Sequence, residues 1–299
     1  MAPAAVLYRA ERGGRERDVL AVISDRNATG LKALAGWLHD EVQRFRRHTL
    51  GYLQLNFGGN AVSRRTDFDP MAHSVLLLHG WGATRRVMSL LERRLRRDGY
   101  GVFSVHLGGL FDTYNSKGIA GLANLVAGKI EKLRQRHDLG KISIVAHSEG
   151  GLIARYYVKR LRGSRNTRAL ITLGTPHAGT VMAFAGIFAL GIISRSIWQM
   201  TPLSPFIRDL KQGEWPPEVN LVSIYSRADW MSPYPSCLLE PRGRPYVKNV
   251  EVENVSHAEL LFSRAVYNAV RKELPPPIER RDEEKTISSP ALQQTLDLG

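Results

Sequence analysis

The segment Ala146-His147-Ser148-Glu149-Gly150 constrains this chain more than any other. It sits between a run of strand character, Lys141 to Val145 (KISIV), and a run at helical spacing, GLIARYYVKRL. A serine on so sharp a strand-to-helix turn is held in a strained backbone conformation, with its hydroxyl projecting beyond the strand end. The positions two before and two after it must be small, because strand and helix approach closely there. Ala146 and Gly150 meet that demand. The helix that follows adds the positive end of its dipole and its leading N–H groups.

The flanking chain repeats the strand–helix alternation. Ser74 to Leu78 is a short apolar run of the buried-strand kind. Thr84 to Arg97 carries Val87, Leu90, Leu91 and Leu95 at helical spacing, and Gly99 ends it. Strands are expected at 102–105, 141–146, 169–173, 220–225 and 247–252. Helices are expected at 119–136, 150–161 and 257–273. Such alternation implies parallel βαβ units with helices on both faces, and right-handed crossovers bring the strand C-terminal ends to one edge. The fold class is α/β, and the chemistry belongs on that edge.

Three stretches together resemble the α/β-hydrolase superfamily, and within it bacterial lipases and esterases. They are His79-Gly80-Trp81-Gly82 after a strand, AHSEGGLIARYY, and Leu173-Gly174-Thr175-Pro176-His177-Ala178-Gly179-Thr180 after the next strand. The resemblance spans roughly residues 74–266. It implies an α/β-hydrolase fold, a mostly parallel sheet with an apolar lid-like insertion at about 177–215, and serine ester hydrolysis. Relatives often carry glycine where this chain has Ala146. Glu149 stands where Met or Gln is common, and a carboxylate there would disfavour anionic substrates.

A serine hydroxyl needs a base, and the base needs an orienting acid. The order expected in this fold is Ser, then Asp or Glu, then His. Of the two histidines after Ser148, His177 lies in a stretch where relatives carry a non-catalytic histidine. His257 follows the last expected strand and is the candidate base. Asp229, in Ser226-Arg227-Ala228-Asp229-Trp230-Met231-Ser232-Pro233, is the candidate acid, with Asp209 and Glu240 as fallbacks. The resemblance assigns the oxyanion donors to the backbone N–H groups of Trp81 and Glu149, and a structural role to His79. No metal or organic cofactor is called for.

The remaining sequence narrows the partners. One cysteine, Cys237, excludes an intrachain disulfide and a cysteine-based metal cluster. The net charge of +14 favours anionic surfaces, yet no nucleic-acid-binding signature accompanies it. An acyl ester or lipid substrate is expected, with peripheral contact to an anionic membrane. Val181 to Ile193 is thirteen residues without a charge. As a helix it would span about 20 Å, short of a ~30 Å hydrocarbon core. It reads as a pocket roof, a lid or a membrane-dipping segment.

Residues 1–70 read as an N-terminal helical extension, with a helical pattern from Leu31 to Phe45. The apolar start precedes its arginines, the reverse of a secretory signal, so a cytoplasmic location is expected. The hydrolase domain is expected over residues 71–273 and a disordered tail over 274–299. Oligomeric state, acyl length and headgroup are open. So are the alternatives of thioesterase, amidase, acyltransferase, or a non-catalytic binding module on the same fold.

Overall fold

The structure is a computed structural model describing residues 72–105, 107, 117–184 and 194–277. By internal contacts the chain separates into two compact units, 1–53 and 54–299, and every described residue lies in the second. The expected N-terminal extension, residues 185–193 of the apolar segment, and the tail from residue 278 lie outside the described residues.

Six strands form one sheet: β1 (Ser74–Leu78), β2 (Gly101–Ser104), β3 (Ile142–His147), β4 (Thr167–Leu173), β5 (Asn220–Tyr225) and β6 (Val247–Glu251). Their order is β2-β1-β3-β4-β5-β6, and every neighbouring pair is parallel. All residues of β1 and β3 are buried, which is why they read as mainly apolar runs rather than alternating ones. β6, at the sheet edge, is mostly part-exposed.

The helices are α1 (Ser89–Arg97), α2 (Ile119–His137), α3 (Glu149–Arg160), α4 (Arg195–Gln199), α5 (Pro205–Lys211), α6 (Tyr234–Cys237) and α7 (Arg264–Glu273). The chain steps from β1 outward to β2, then reverses past β1 to β3 and continues to β6. Right-handed crossovers therefore put α1 on one face and α2 and α3 on the other. α7 joins α1: Asp98 accepts from Tyr267 Oη at 2.6 Å and from Arg271 Nε at 2.6 Å. The main apolar core lies between the sheet and α2 and α3, with Val126, Ile130, Leu152, Ile153 and Tyr157 packed on Leu76, Ile144 and Leu170.

Two expectations shift. The last helix does not run from 257 to 273. A 3₁₀ turn at Glu259–Leu261 ends at Phe262, and Ser263 starts α7 afresh by capping Val266 N. His257 therefore lies in irregular chain rather than opening a helix. Residues 274–277, expected within the tail, instead pack against the domain. Leu274 is buried, Pro275 O accepts from Tyr100 Oη, and Pro277 O accepts from His73 N.

Candidate active site

The reversal in strand order falls between β1 and β3, and such switch points open a crevice at the strand C-terminal ends. The loops leaving β1, β3, β4, β5 and β6 carry, in order, Gly80-Trp81, Ser148, Gly174, Asp229 and His257.

Ser148 adopts φ 53° and ψ −126° between β3 and α3. That is the positive-φ region a β-carbon disfavours, a strain of order 1–3 kcal/mol that surrounding structure must hold. It is held here by hydrogen bonds to its own N–H and carbonyl. Ser148 N donates to Leu173 O at 2.9 Å, and Ser148 O accepts from Thr175 Oγ1 at 2.8 Å. The small-residue demand is visible at Gly150, where a β-carbon would lie 2.6 Å from His79 O. The β1 loop presses on the same turn: a β-carbon on Gly80 would lie 2.7 Å from Ser148 Cβ.

Asp229 is fixed before it meets its partner. Its Oδ1 accepts from Ser232 N at 2.9 Å, and its Oδ2 accepts from His257 Nδ1 at 2.7 Å. The Asp229 side chain is 1% exposed and the His257 side chain 16%, so the imidazole is the member of the pair that faces the opening. With Nδ1 donating to the carboxylate, Nε2 is left as the basic nitrogen. Asp209 and Glu240, the fallback acids, stand elsewhere in ion pairs with Arg160 and Arg242.

The His257 loop is gripped by neighbours that motif reading passed over. Ser226 Oγ accepts from Val255 N at 3.1 Å and from Ala228 N at 3.2 Å, stapling the acid loop to the histidine loop. His147, one residue before Ser148, donates from Nε2 to His257 O at 3.0 Å. The two imidazoles lie 4.6 Å apart, centroid to centroid. Burial, and then the nearby His257, push the His147 pKa well below the ordinary histidine value, so this ring is neutral. Gly174 sits beneath the pair at φ 54°. A β-carbon there would lie 2.8 Å from Asp229 Oδ2 and 3.2 Å from His257 Nδ1. Only the stretch containing Gly174 was visible beforehand; the other contacts join residues 29 and 110 positions apart.

His177 is separate from this group. It is buried behind β4, with Nε2 3.0 Å from Thr172 Oγ1 and Nδ1 3.5 Å from Arg155 Nη1. Desolvation, and then Arg155, lower its pKa well below the usual value. His79 is buried too, its Nδ1 3.0 Å from Gly80 O. Glu149 opens α3, so its N–H is one of the four without an intrahelical acceptor. Its side chain is wholly buried, so the carboxylate is not displayed to solvent as a screen against anionic substrates. Trp81 Nε1 donates to Ser194 Oγ at 2.9 Å, which ties the β1 loop to the start of α4.

Exposed apolar side chains lie on the acid loop and on segments tied to it. Val181, Phe184, Leu203, Trp230 and Met231 are 59%, 50%, 83%, 46% and 40% exposed. Their segments are linked through Thr180, whose N donates to Met200 O and whose Oγ1 donates to Met231 O. Among the described residues no helix is long and apolar enough to cross a membrane, and no cluster of side chains suits a metal ion.

Residues 70–208 match the profile of a family described as "Putative serine esterase (DUF676)". A GPI inositol-deacylase of Candida albicans is 32% identical over 92 residues, 31% of this chain and 17% of that protein. The matched stretch thus spans under a fifth of the curated relative. Two solved structures share the architecture. The mature Bacillus licheniformis lipase BlEst2 aligns with a TM-score of 0.56 at 14% identity, covering 70% of this chain and 95% of that one. Aspergillus fumigatus lipase B aligns at 0.55 with 17% identity, covering 68% and 53%. Identities this low speak to the fold.

Proposed function

We propose that the chain is a serine ester hydrolase of the α/β-hydrolase superfamily that cleaves acyl esters through an acyl-enzyme on Ser148. The observation that carries the reading is the 2.7 Å contact of His257 with Asp229, seated against the residue next to Ser148. In this mechanism Nε2 of His257 takes the hydroxyl proton as Ser148 Oγ attacks the ester carbonyl. Asp229 holds the tautomer and stabilises the imidazolium. The neutral state of His147 matters at that moment, because a second cation 4.6 Å away would oppose the one being formed. The backbone N–H groups of Trp81 and Glu149 stabilise the tetrahedral oxyanion, each donor contributing about 3 kcal/mol. The protonated base then passes its proton to the departing alcohol, and water attacks the acyl-enzyme by the reverse route.

For the substrate we propose an acyl ester carried by a lipid. Two observations support it: the exposed apolar side chains of Val181, Phe184, Leu203, Trp230 and Met231, and a relative named for deacylating an inositol. Those side chains and the +14 charge also suit peripheral docking on an anionic membrane.

The test pairs a p-nitrophenyl butyrate assay with labelling by a fluorophosphonate. The wild type turns over and is labelled on Ser148. Ser148→Ala keeps its melting temperature and loses both. Turnover retained by that variant refutes the assignment.

A further inference from the structure

On the face of the sheet that carries α1 and α7, a cleft of about 390 Å³ opens between the two helices. It is lined by Arg94, Arg97, Asp98, Arg264, Tyr267 and Asn268. Three guanidiniums converge on it from two elements, and the one carboxylate among them is already neutralised. Asp98 accepts from Tyr267 and Arg271, which hold its pKa below the ordinary carboxylate value, the Tyr267 bond contributing most.

Arg94 is set in place by three contacts. Its Nη1 donates to Phe262 O at 2.9 Å and to Ser263 O at 3.3 Å, and its guanidinium lies 5.5 Å from the centre of the Tyr267 ring. Arg97 and Arg264 are exposed, and neither takes part in an ion pair or a side-chain hydrogen bond among the described residues. Arg264 is also the first residue of the ten-residue α7, while Arg97 and Asp98 end α1, so the two helix dipoles oppose one another here and the guanidiniums set the sign of the cleft.

We propose that this cleft binds a phosphate group, with Arg97 and Arg264 as paired guanidinium forks and Arg94 as a pre-set wall. Planar forks match a tetrahedral oxyanion two bonds at a time, which a scatter of lysines would not do. The volume leaves room for an organic group attached to the phosphate. Asn268 on the rim supplies an amide for its hydroxyl groups. The bound phosphate comes either from a soluble phosphomonoester or from a lipid headgroup. The chemistry is shared, and the two sources are told apart by experiment. None of these side chains belongs to the proposed ester site, so the two readings stand or fall separately.

The experiment uses the full chain at low ionic strength. Calorimetric titration with inorganic phosphate and with glycerol 3-phosphate reads solution binding. Flotation with phosphatidylcholine vesicles, with and without phosphatidic acid, reads the lipid form. Arg97→Gln with Arg264→Gln removes the forks, and Lys132→Gln with Arg136→Gln removes the same charge from exposed positions on α2. Saturable binding that weakens at least tenfold in the cleft variant, and is unchanged in the α2 variant, supports the site. If phosphatidic acid vesicles retain the wild type but not the cleft variant, the source is lipid. If the same loss is confined to solution binding, the source is soluble. No saturable binding in either arm, or equal weakening by both variants, overturns it. Unchanged melting temperatures exclude misfolding as the cause.

Discussion

Replacing Gly174 with alanine tests the pairing of acid and base more sharply than removing either side chain. The residue stands at φ 54°, where a β-carbon costs about 1–2 kcal/mol. The new methyl would meet Leu260 Cδ1 at 2.5 Å and Asp229 Oδ2 at 2.8 Å. The leucine tip can turn away. The carboxylate has less freedom, because its other oxygen is held by Ser232 N at 2.9 Å. Ordinary contact begins near 3.4 Å, so Oδ2 must retreat about 0.6 Å (3.4 less 2.8), which stretches a 2.7 Å bond to His257 toward breaking. We expect a stability loss of about 1–3 kcal/mol in urea unfolding. We also expect a fall of up to about 10²-fold in kcat for p-nitrophenyl butyrate, the order that a misplacement approaching 1 Å produces. KM should change little, since the added methyl meets Leu260, Asp229 and His257 Nδ1. A variant destabilised by more than 1 kcal/mol yet within threefold of wild-type kcat would show that the glycine does not protect the pair.

Other perturbations test neighbouring parts of the argument. Ser226→Ala leaves buried Val255 N without its acceptor, while exposed Ala228 N can turn to water, so a loss of about 1–3 kcal/mol is expected in urea unfolding; a loss under about 0.5 kcal/mol would contradict the staple. His147 and His177 are held neutral with lowered pKa values, so the unfolded chain binds more protons below the ordinary histidine value of about 6.5. Stability should therefore be complete above that pH and fall as the pH drops below it, by at most about 1.4 kcal/mol per unit for each histidine. His177→Gln should flatten that slope in melting curves between pH 7 and 5, and an unaltered slope would count against it. Phe184→Ser combined with Leu203→Ser changes only exposed apolar side chains. It should leave short soluble esters within twofold and cut turnover of emulsified long-chain esters at least tenfold; equal effects on both would remove these side chains from substrate capture.

The strands and the turn at Ser148 were legible because their constraints are local. A strand buried on both faces must be apolar or have its polar groups paired, as in Val75-Leu76-Leu77-Leu78 and in Ile142 to Ala146, where Ser143 Oγ lies 2.8 Å from His73 Nε2. A close approach must use small residues, as at Gly150. The last helix was misjudged for a related reason. Leu260, Leu261, Val266 and Val270 keep a helical rhythm across residues 262–263, but the side chain of Ser263 satisfies Val266 N and makes a new start. The grips of Ser226 and His147 on the His257 loop left no mark, since neither spacing nor composition records which carbonyl a distant side chain will reach.

The bond from His147 has a bearing on how this site is built. It grasps the main-chain oxygen of residue 257, not its ring. The seat of the base is thus specified by the polypeptide itself, whatever side chain occupies it. Excising the imidazole would remove the partner of Asp229 but not the bond that His147 makes to the chain. A chain arranged this way separates holding from reacting, so the reactive group can be exchanged without rebuilding the support beneath it.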